Sequence, residues 1–220
     1  MAQKQLTPKE WIQGLLGLVI LAGIGWGAWS IWGADATSPA KSVASSPPAA
    51  APKAAPEPVA ARPPMPPTQQ AFIQAVEQYR QQFHAAEGDL RKSVTRTDRG
   101  KSLSSALAAT NGQIKGWVGT IGTLKTTEDG RAYISISVAK DVTLMTFNNG
   151  FSDTVHKTLV VQTSPLFGQM MDLKVGDVVV FDASLWRDPK DGWKELSMTE
   201  RGAMTDPSFL MSLQSIRRAP

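Results

Sequence analysis

Cysteine is absent from the 220 residues, and histidine and tyrosine occur only twice each. Without thiols there is no disulfide, no thiolate metal site and no cysteine nucleophile. The two histidines, His84 and His156, stand apart, and no Asp/Glu cluster falls at ligand spacing, so no metal is expected. Phosphate-cradling and dinucleotide-binding glycine loops are missing too, as is a Gly-x-Ser-x-Gly elbow. No cofactor is expected. A surplus of one charge sign is also missing where it would matter. The chain carries a formal +4, but from Asn111 to Asp206 ten Lys/Arg face twelve Asp/Glu, a net of −2. The excess sits instead in Arg80–Lys101, with six Lys/Arg against three Asp/Glu. Nucleic-acid affinity rests largely on neutralising phosphates, so this distribution argues against a nucleic-acid partner for the β-rich region.

What the chain does have begins with WIQGLLGLVILAGIGWGAWSIW, Trp11–Trp32, an uncharged run flanked by tryptophans. At 1.5 Å per residue it reaches about 33 Å, enough for a hydrocarbon core of about 30 Å. Lys4 and Lys9 precede it, which favours an N-terminus in the cytoplasm. The rival is a cleaved signal ending near Ala34-Asp35-Ala36, but the apolar run is longer than such signals use. The expectation is a single-pass protein of a bacterial inner membrane: residues 1–10 cytoplasmic, 11–32 a transmembrane helix, and the C-terminal domain periplasmic. Residues 33–67 follow as a Pro/Ala-rich linker, with ten prolines between Pro39 and Pro67. Many fixed φ angles and few large apolar groups predict a disordered, extended spacer.

Residues 68–109 read as a helical segment. Phe72, Val76, Tyr79, Phe83, Ala86, Leu90 and Val94 recur at three- and four-residue spacing, and Gly88 weakens the middle of the helix, where a break would fall. The stripe is expected to dock on the domain that follows. From residue 110 the period changes to two. QIKGWVGTIGTL (Gln113–Leu124) alternates, with Gly116, Gly119 and Gly122 at bulge or bend positions. AYISISV (Ala132–Val138) and VTLMTF (Val142–Phe147) follow as strands. SPLFGQMMDL (Ser164–Leu173) predicts a short helix with Ser164 as N-cap and Pro165 at its first position. Val178–Leu185 and Trp193–Thr199 predict the fourth and fifth strands, with Trp186 and Trp193 as a cross-strand pair. Asp206-Pro207 then reads as the start of a C-terminal helix, whose Phe209, Leu210 and Leu213 would close the barrel.

Three strands, a helix and two strands is the order of an OB-fold. The predicted fold is mainly β with accessory helices: a transmembrane helix, a Pro/Ala-rich linker, then a helix and an OB-fold-like five-stranded barrel over residues 110–220. The run LKVGDVVVF at Leu173–Phe181 looks like OB-type domains. Together with GWVGT at Gly116, FNNGFSD at Phe147, SPLF at Ser164 and SMTERGAMTDPSFL at Ser197, it resembles a family of uncharacterised proteobacterial membrane-anchored proteins. The resemblance covers roughly Thr68–Ile216 and implies no activity and no site residues.

The stretch with the most polar chemistry is FNNGFSDTVHKTL, Phe147–Leu159. A hydrolase would need Asp153 and His156 to converge with a nucleophile such as Ser152 or Ser164. Turn chemistry accounts for the same residues: Asn148-Asn149-Gly150 suits left-handed or turn backbone, and Ser152-Asp153 can cap the next turn. The candidate ligand-contact residues are Asn148, Asn149, Asp153 and His156 on this loop, with Trp117 on the first strand; no catalytic or metal-binding residue is proposed. Tyr133, Phe147, Trp186 and Trp193 are further aromatic candidates. The functional expectation is a membrane-anchored, exported, non-enzymatic binding or assembly module, its partner a protein or cell-envelope component. The alternatives are an exported nucleic-acid-binding OB domain and a hydrolase using the Asn148–His156 loop.

Overall fold

The computed structural model describes residues 63–220. Helices α1 (Pro67–Ala85) and α2 (Asp89–Ala106) and a single 3-10 turn (Ala108–Thr110) lead into β1 (Gln113–Thr126), β2 (Ala132–Ala139) and β3 (Val142–Met145). Helix α3 (Pro165–Met170) precedes β4 (Val178–Leu185). The short strands β5 (Arg187–Asp188) and β6 (Gly192–Trp193), helix α4 (Glu200–Thr205) and the long strand β7 (Ser208–Arg218) complete the chain. Strands β1, β2, β3, β7 and β4 close a barrel in that order, while β5 and β6 pair separately. β7 runs parallel to β3 and antiparallel to β4. A helix between the third and fourth barrel strands, and a last strand parallel to the third, make this an OB-like barrel.

Local chemistry explains most elements. In β2 the residues Ala132, Ile134, Ile136 and Val138 are buried and their neighbours are half-exposed, the period-two pattern of a barrel wall. Two bulges bend β1 so that it serves both β4 and β2. Gly116, at φ 64°, lies in the first and donates its N–H to Asp182 Oδ1 at 2.7 Å. Gly122 is the extra residue of the second, between Ile121 and Thr123. Ser164 caps α3 by accepting from the Leu166 N–H, and Pro165 opens it.

Helix α1 joins the barrel through Phe72, which packs at 5.4 Å from Trp117 and 5.2 Å from Phe209. Gln69, fully buried, accepts from the Val118 N–H at 2.9 Å and donates to the Val118 carbonyl at 2.6 Å. The β1–β2 ladder begins only at Thr120, so this side-chain amide satisfies backbone groups that no strand reaches. The chain breaks at Gly88 (φ 79°), and α2 then presents Arg99, Gly100 and Leu103 inward. Leu90 and Val94 belong to the sequence stripe but are 87% and 60% exposed, because the break resets the helical phase.

Three expectations need correction. Trp193–Thr199 is not a barrel strand: β6 ends at Trp193, and Glu195 makes a single bridge to Phe209. The fifth strand is β7, where a helix was predicted; its Phe209, Leu210, Met211, Leu213 and Ile216 are buried, and its backbone fills the gap between β3 and β4. The membrane assignment is the third. Among the described residues no helix is long and apolar enough to cross a membrane. α1 has 19 residues, but Gln70, Gln74, Glu77, Gln78, Arg80, Gln81 and Gln82 line it. The predicted span, Trp11–Trp32, and most of the linker lie outside the described residues. The expected transmembrane, single-pass, inner-membrane and periplasmic topology therefore has no support among the described residues.

Candidate functional site

The loop from Phe147 to Thr158 leaves the end of β3 and folds into consecutive turns. Asn149 starts them: its Oδ1 accepts from the Ser152 N–H at 2.9 Å, and its carbonyl accepts from the Asp153 N–H. Lys157, at φ 52°, ends them by donating its N–H to the Asp153 carbonyl at 3.0 Å. Asp153 ties the two ends together. Its carboxylate is 1% exposed; Oδ1 accepts from the Thr158 N–H and Oγ1, and Oδ2 accepts from the Leu159 N–H at 3.1 Å. Thr158 Oγ1 in turn accepts from the Phe147 N–H at 2.9 Å. Arg131 stands 3.7 Å from Asp153 Oδ2 while its guanidinium holds Asp129 at 2.6 Å, which keeps the Asp129 carboxyl well below the usual range.

This framework holds apolar side chains outward. Phe151 is 92% exposed and Val155 78%. His156, on the same turns, sets its ring steeply tilted against Phe147 (centroids 5.5 Å apart) and Trp186 (4.7 Å). Trp186 follows β4 and is fixed by an Nε1–H bond to Ser212 Oγ at 3.0 Å and by its N–H to the Leu210 carbonyl. His156 Nδ1 is buried and meets no hydrogen-bond partner. Burial, and then the nearby Lys194 ammonium, lower the affinity of the imidazole for a proton, against a weaker opposing pull from Asp153. The surroundings therefore favour the neutral ring.

The sequence-predicted residues separate into distinct roles. Asn149 and Asp153 organise the backbone, and Asn148 accepts a 2.8 Å hydrogen bond from Asn149 Nδ2 at the exposed tip. His156 belongs to the aromatic cluster. Trp117 is fully buried in the barrel core, with Nε1–H on Thr68 Oγ1 at 3.2 Å, and offers no face to a ligand. Trp193 is equally buried: its Nε1–H donates to the Leu103 carbonyl and the Arg187 guanidinium covers its ring, so the predicted Trp186–Trp193 pair does not form. Asp153 and His156 do not form a relay, because the carboxylate is spent on Thr158 and Leu159. Among the described residues no group of three or more His, Asp or Glu could hold a metal ion. The residues that sequence reasoning passed over are Phe151 and Val155; two large apolar side chains inside a polar turn segment are the signal that marks them.

A concavity of about 360 Å³ lies between α2 and the β5–β6 turn, lined by Thr97, Lys101, Ser104 and Lys190 among others. It is shallow, and Lys101 is already paired with Asp98 at 3.0 Å. The loop and Trp186 are the better-built surface.

Comparison of the chain with protein families, with curated proteins and with solved structures finds no match. The resemblance to a proteobacterial membrane-anchored family is thereby not upheld, and the OB-like assignment rests on strand order and pairing alone.

Proposed function

We propose that this OB-like domain is a non-enzymatic binding module that takes a short apolar segment of a partner protein on the surface formed by Phe151, Val155, Phe147, His156 and Trp186. The observation that carries the reading is the exposure of Phe151 and Val155 on a loop whose backbone is locked by the buried Asp153 carboxylate. A mobile loop would lose entropy on binding, whereas one already held by internal hydrogen bonds loses little. Large apolar groups held rigidly in water are a feature of interaction surfaces.

Size favours a short segment over a second copy of the chain. One exposed Phe, one Val and half-buried aromatics offer a few hundred Å² at most, below the ~800 Å² per partner of a standard interface. Charge argues against single-stranded nucleic acid, which needs aromatic platforms set in a basic groove. The barrel region carries no excess of cations, and Arg131 beside the loop is engaged by Asp129.

A photocrosslinking residue placed at Val155 in the full chain tests the reading, with one at the exposed Glu128 as control. Crosslinks to defined partner peptides are expected at 155 and not at 128. F151S should reduce the 155 product by about tenfold, as loss of an interface anchor does, while leaving the melting temperature nearly unchanged. Undiminished crosslinking in F151S, or salt-dependent capture of a fluorescent oligothymidine, would remove the proposal.

A further inference from the structure

His156 is the one member of the aromatic cluster that can change charge, and its surroundings accept only one of its two states. The ring is wedged between Phe147 and Trp186 at 5.5 and 4.7 Å, both at steep interplanar angles of 62° and 79°. Its Nδ1 is buried and without a partner, so a proton added there becomes a buried N–H with no acceptor. The charged groups that face it come from two directions. Lys194, on the segment after β6, adds like charge, and Asp153, on the loop itself, is the opposing carboxylate. Asp153 cannot serve as the acceptor, because its oxygens hold Thr158 and Leu159 and face Arg131. An aromatic ring can attract a cation over its face, but it cannot replace a hydrogen-bond acceptor.

We propose that His156 is a pH-sensitive latch: neutral, it packs between Phe147 and Trp186 and holds the loop's apolar surface assembled; protonated, it leaves the cluster and the surface opens. For its consequence this inference rests on the partner-binding reading, but the latch itself needs only the loop and its contact with Trp186. The sign follows from the two states. Inside the cluster the ring binds a proton less readily than a free imidazole, whose pKa is about 6.5. Swung into water it regains that ordinary affinity. The open state thus takes up the proton first as pH falls, and the open-to-closed ratio rises by up to tenfold per pH unit below about 6.5, until the closed ring also titrates.

Amide hydrogen exchange of the full chain at pH 7.5 and 5.0, corrected for the intrinsic pH dependence of exchange, reads this directly. The amides of Asp153, Lys157, Thr158 and Leu159 should lose protection at pH 5.0 by at least fivefold more than amides of β2. The tryptophan fluorescence should change over the same range, and W186F should remove that change. H156F, which fills the wedge with an uncharged ring, should give a flat response at both pH values; H156Q serves the same purpose should the phenylalanine variant fold poorly. Equal protection at the two pH values in the unmodified chain, or an acid response that persists in H156F and H156Q, overturns the latch. Acid opening without any pH effect on the Val155 crosslink leaves the latch standing and counts against the binding reading instead.

Discussion

Replacing Asp153 by alanine removes the carboxylate that ties the turns of the Phe147–Thr158 loop to its far end. The carboxylate accepts from two backbone N–H groups, Thr158 and Leu159, and from the Thr158 hydroxyl. Thr158 and Leu159 are themselves buried, so these donors have no water to turn to in the closed loop. A stranded buried donor costs about 1–3 kcal/mol, which puts the two N–H groups at about 2–6 kcal/mol. Two effects pull the figure toward the lower half. The hydroxyl can rotate, and the loop lies at the surface, where a modest opening admits water. Loss of the Arg131 contact at 3.7 Å adds little, since that guanidinium is partly exposed and keeps Asp129. We expect D153A to lose about 3 kcal/mol, a change of roughly a hundredfold in the folded-to-unfolded ratio. D153N, which keeps one acceptor oxygen for Thr158 but turns an NH₂ toward the Leu159 N–H, should lose about half as much. Urea unfolding at pH 7.5 is the measurement, with a lowered midpoint and an unchanged slope as the expected signature. A loss under about 0.5 kcal/mol in D153A, with Thr158 and Leu159 amides as protected as before, would show that the carboxylate does not organise this loop.

Elsewhere the network that seats α2 on the β5–β6 turn should be asymmetric. Arg96 binds Asp191 through two 2.7 Å hydrogen bonds, and the fully buried Arg99 reaches the same carboxylate and donates to the Ala203 carbonyl. D191A leaves two guanidinium charges without their shared carboxylate, Arg99 keeping only the Ala203 carbonyl, and should cost about 3–5 kcal/mol in thermal unfolding, whereas R99M, which removes a buried charge together with its desolvation, should cost clearly less. Burial alone would raise the Asp191 carboxyl, but Arg96, then Arg99 and Lys190, more than reverse this and hold it lowered. Its stabilising contribution is therefore complete above the ordinary carboxylate range and should fade as pH falls through the lowered value, a slope that D191A should lack. Two glycine-to-alanine changes in helices should have opposite signs. G100A places a methyl group 2.6 Å from the Lys190 carbonyl and should destabilise despite better helix propensity, while G168A in α3 meets nothing within 4 Å and should stabilise by about 0.5–1 kcal/mol. Equal melting shifts for the two would refute the tight seating of α2.

The primary sequence by itself determined the elements whose cause is local. β2 is legible in the alternation of Ala132, Ile134, Ile136 and Val138, the bends of β1 in Gly116 and Gly122, and α3 in Ser164-Pro165. Asn149 and Asp153 are likewise of the types that turns and caps demand, and they do that work. Tertiary structure decided the rest. Asp206-Pro207 followed by Phe209, Leu210 and Leu213 has helical spacing, yet β7 is a strand because the barrel needs one backbone to pair with β3 on one side and β4 on the other. Trp117 alternates as a strand residue would, but only the arrival of Phe72 from α1 makes it core rather than surface. The candidate site follows the same rule. His156 lies 30 residues before Trp186 in the chain, and no local pattern announces that their rings meet at 4.7 Å. Hydrogen-bond caps and side-chain alternation act over a few residues, so they can be read along the chain; strand partners and ring contacts form between segments that only the closed barrel brings together.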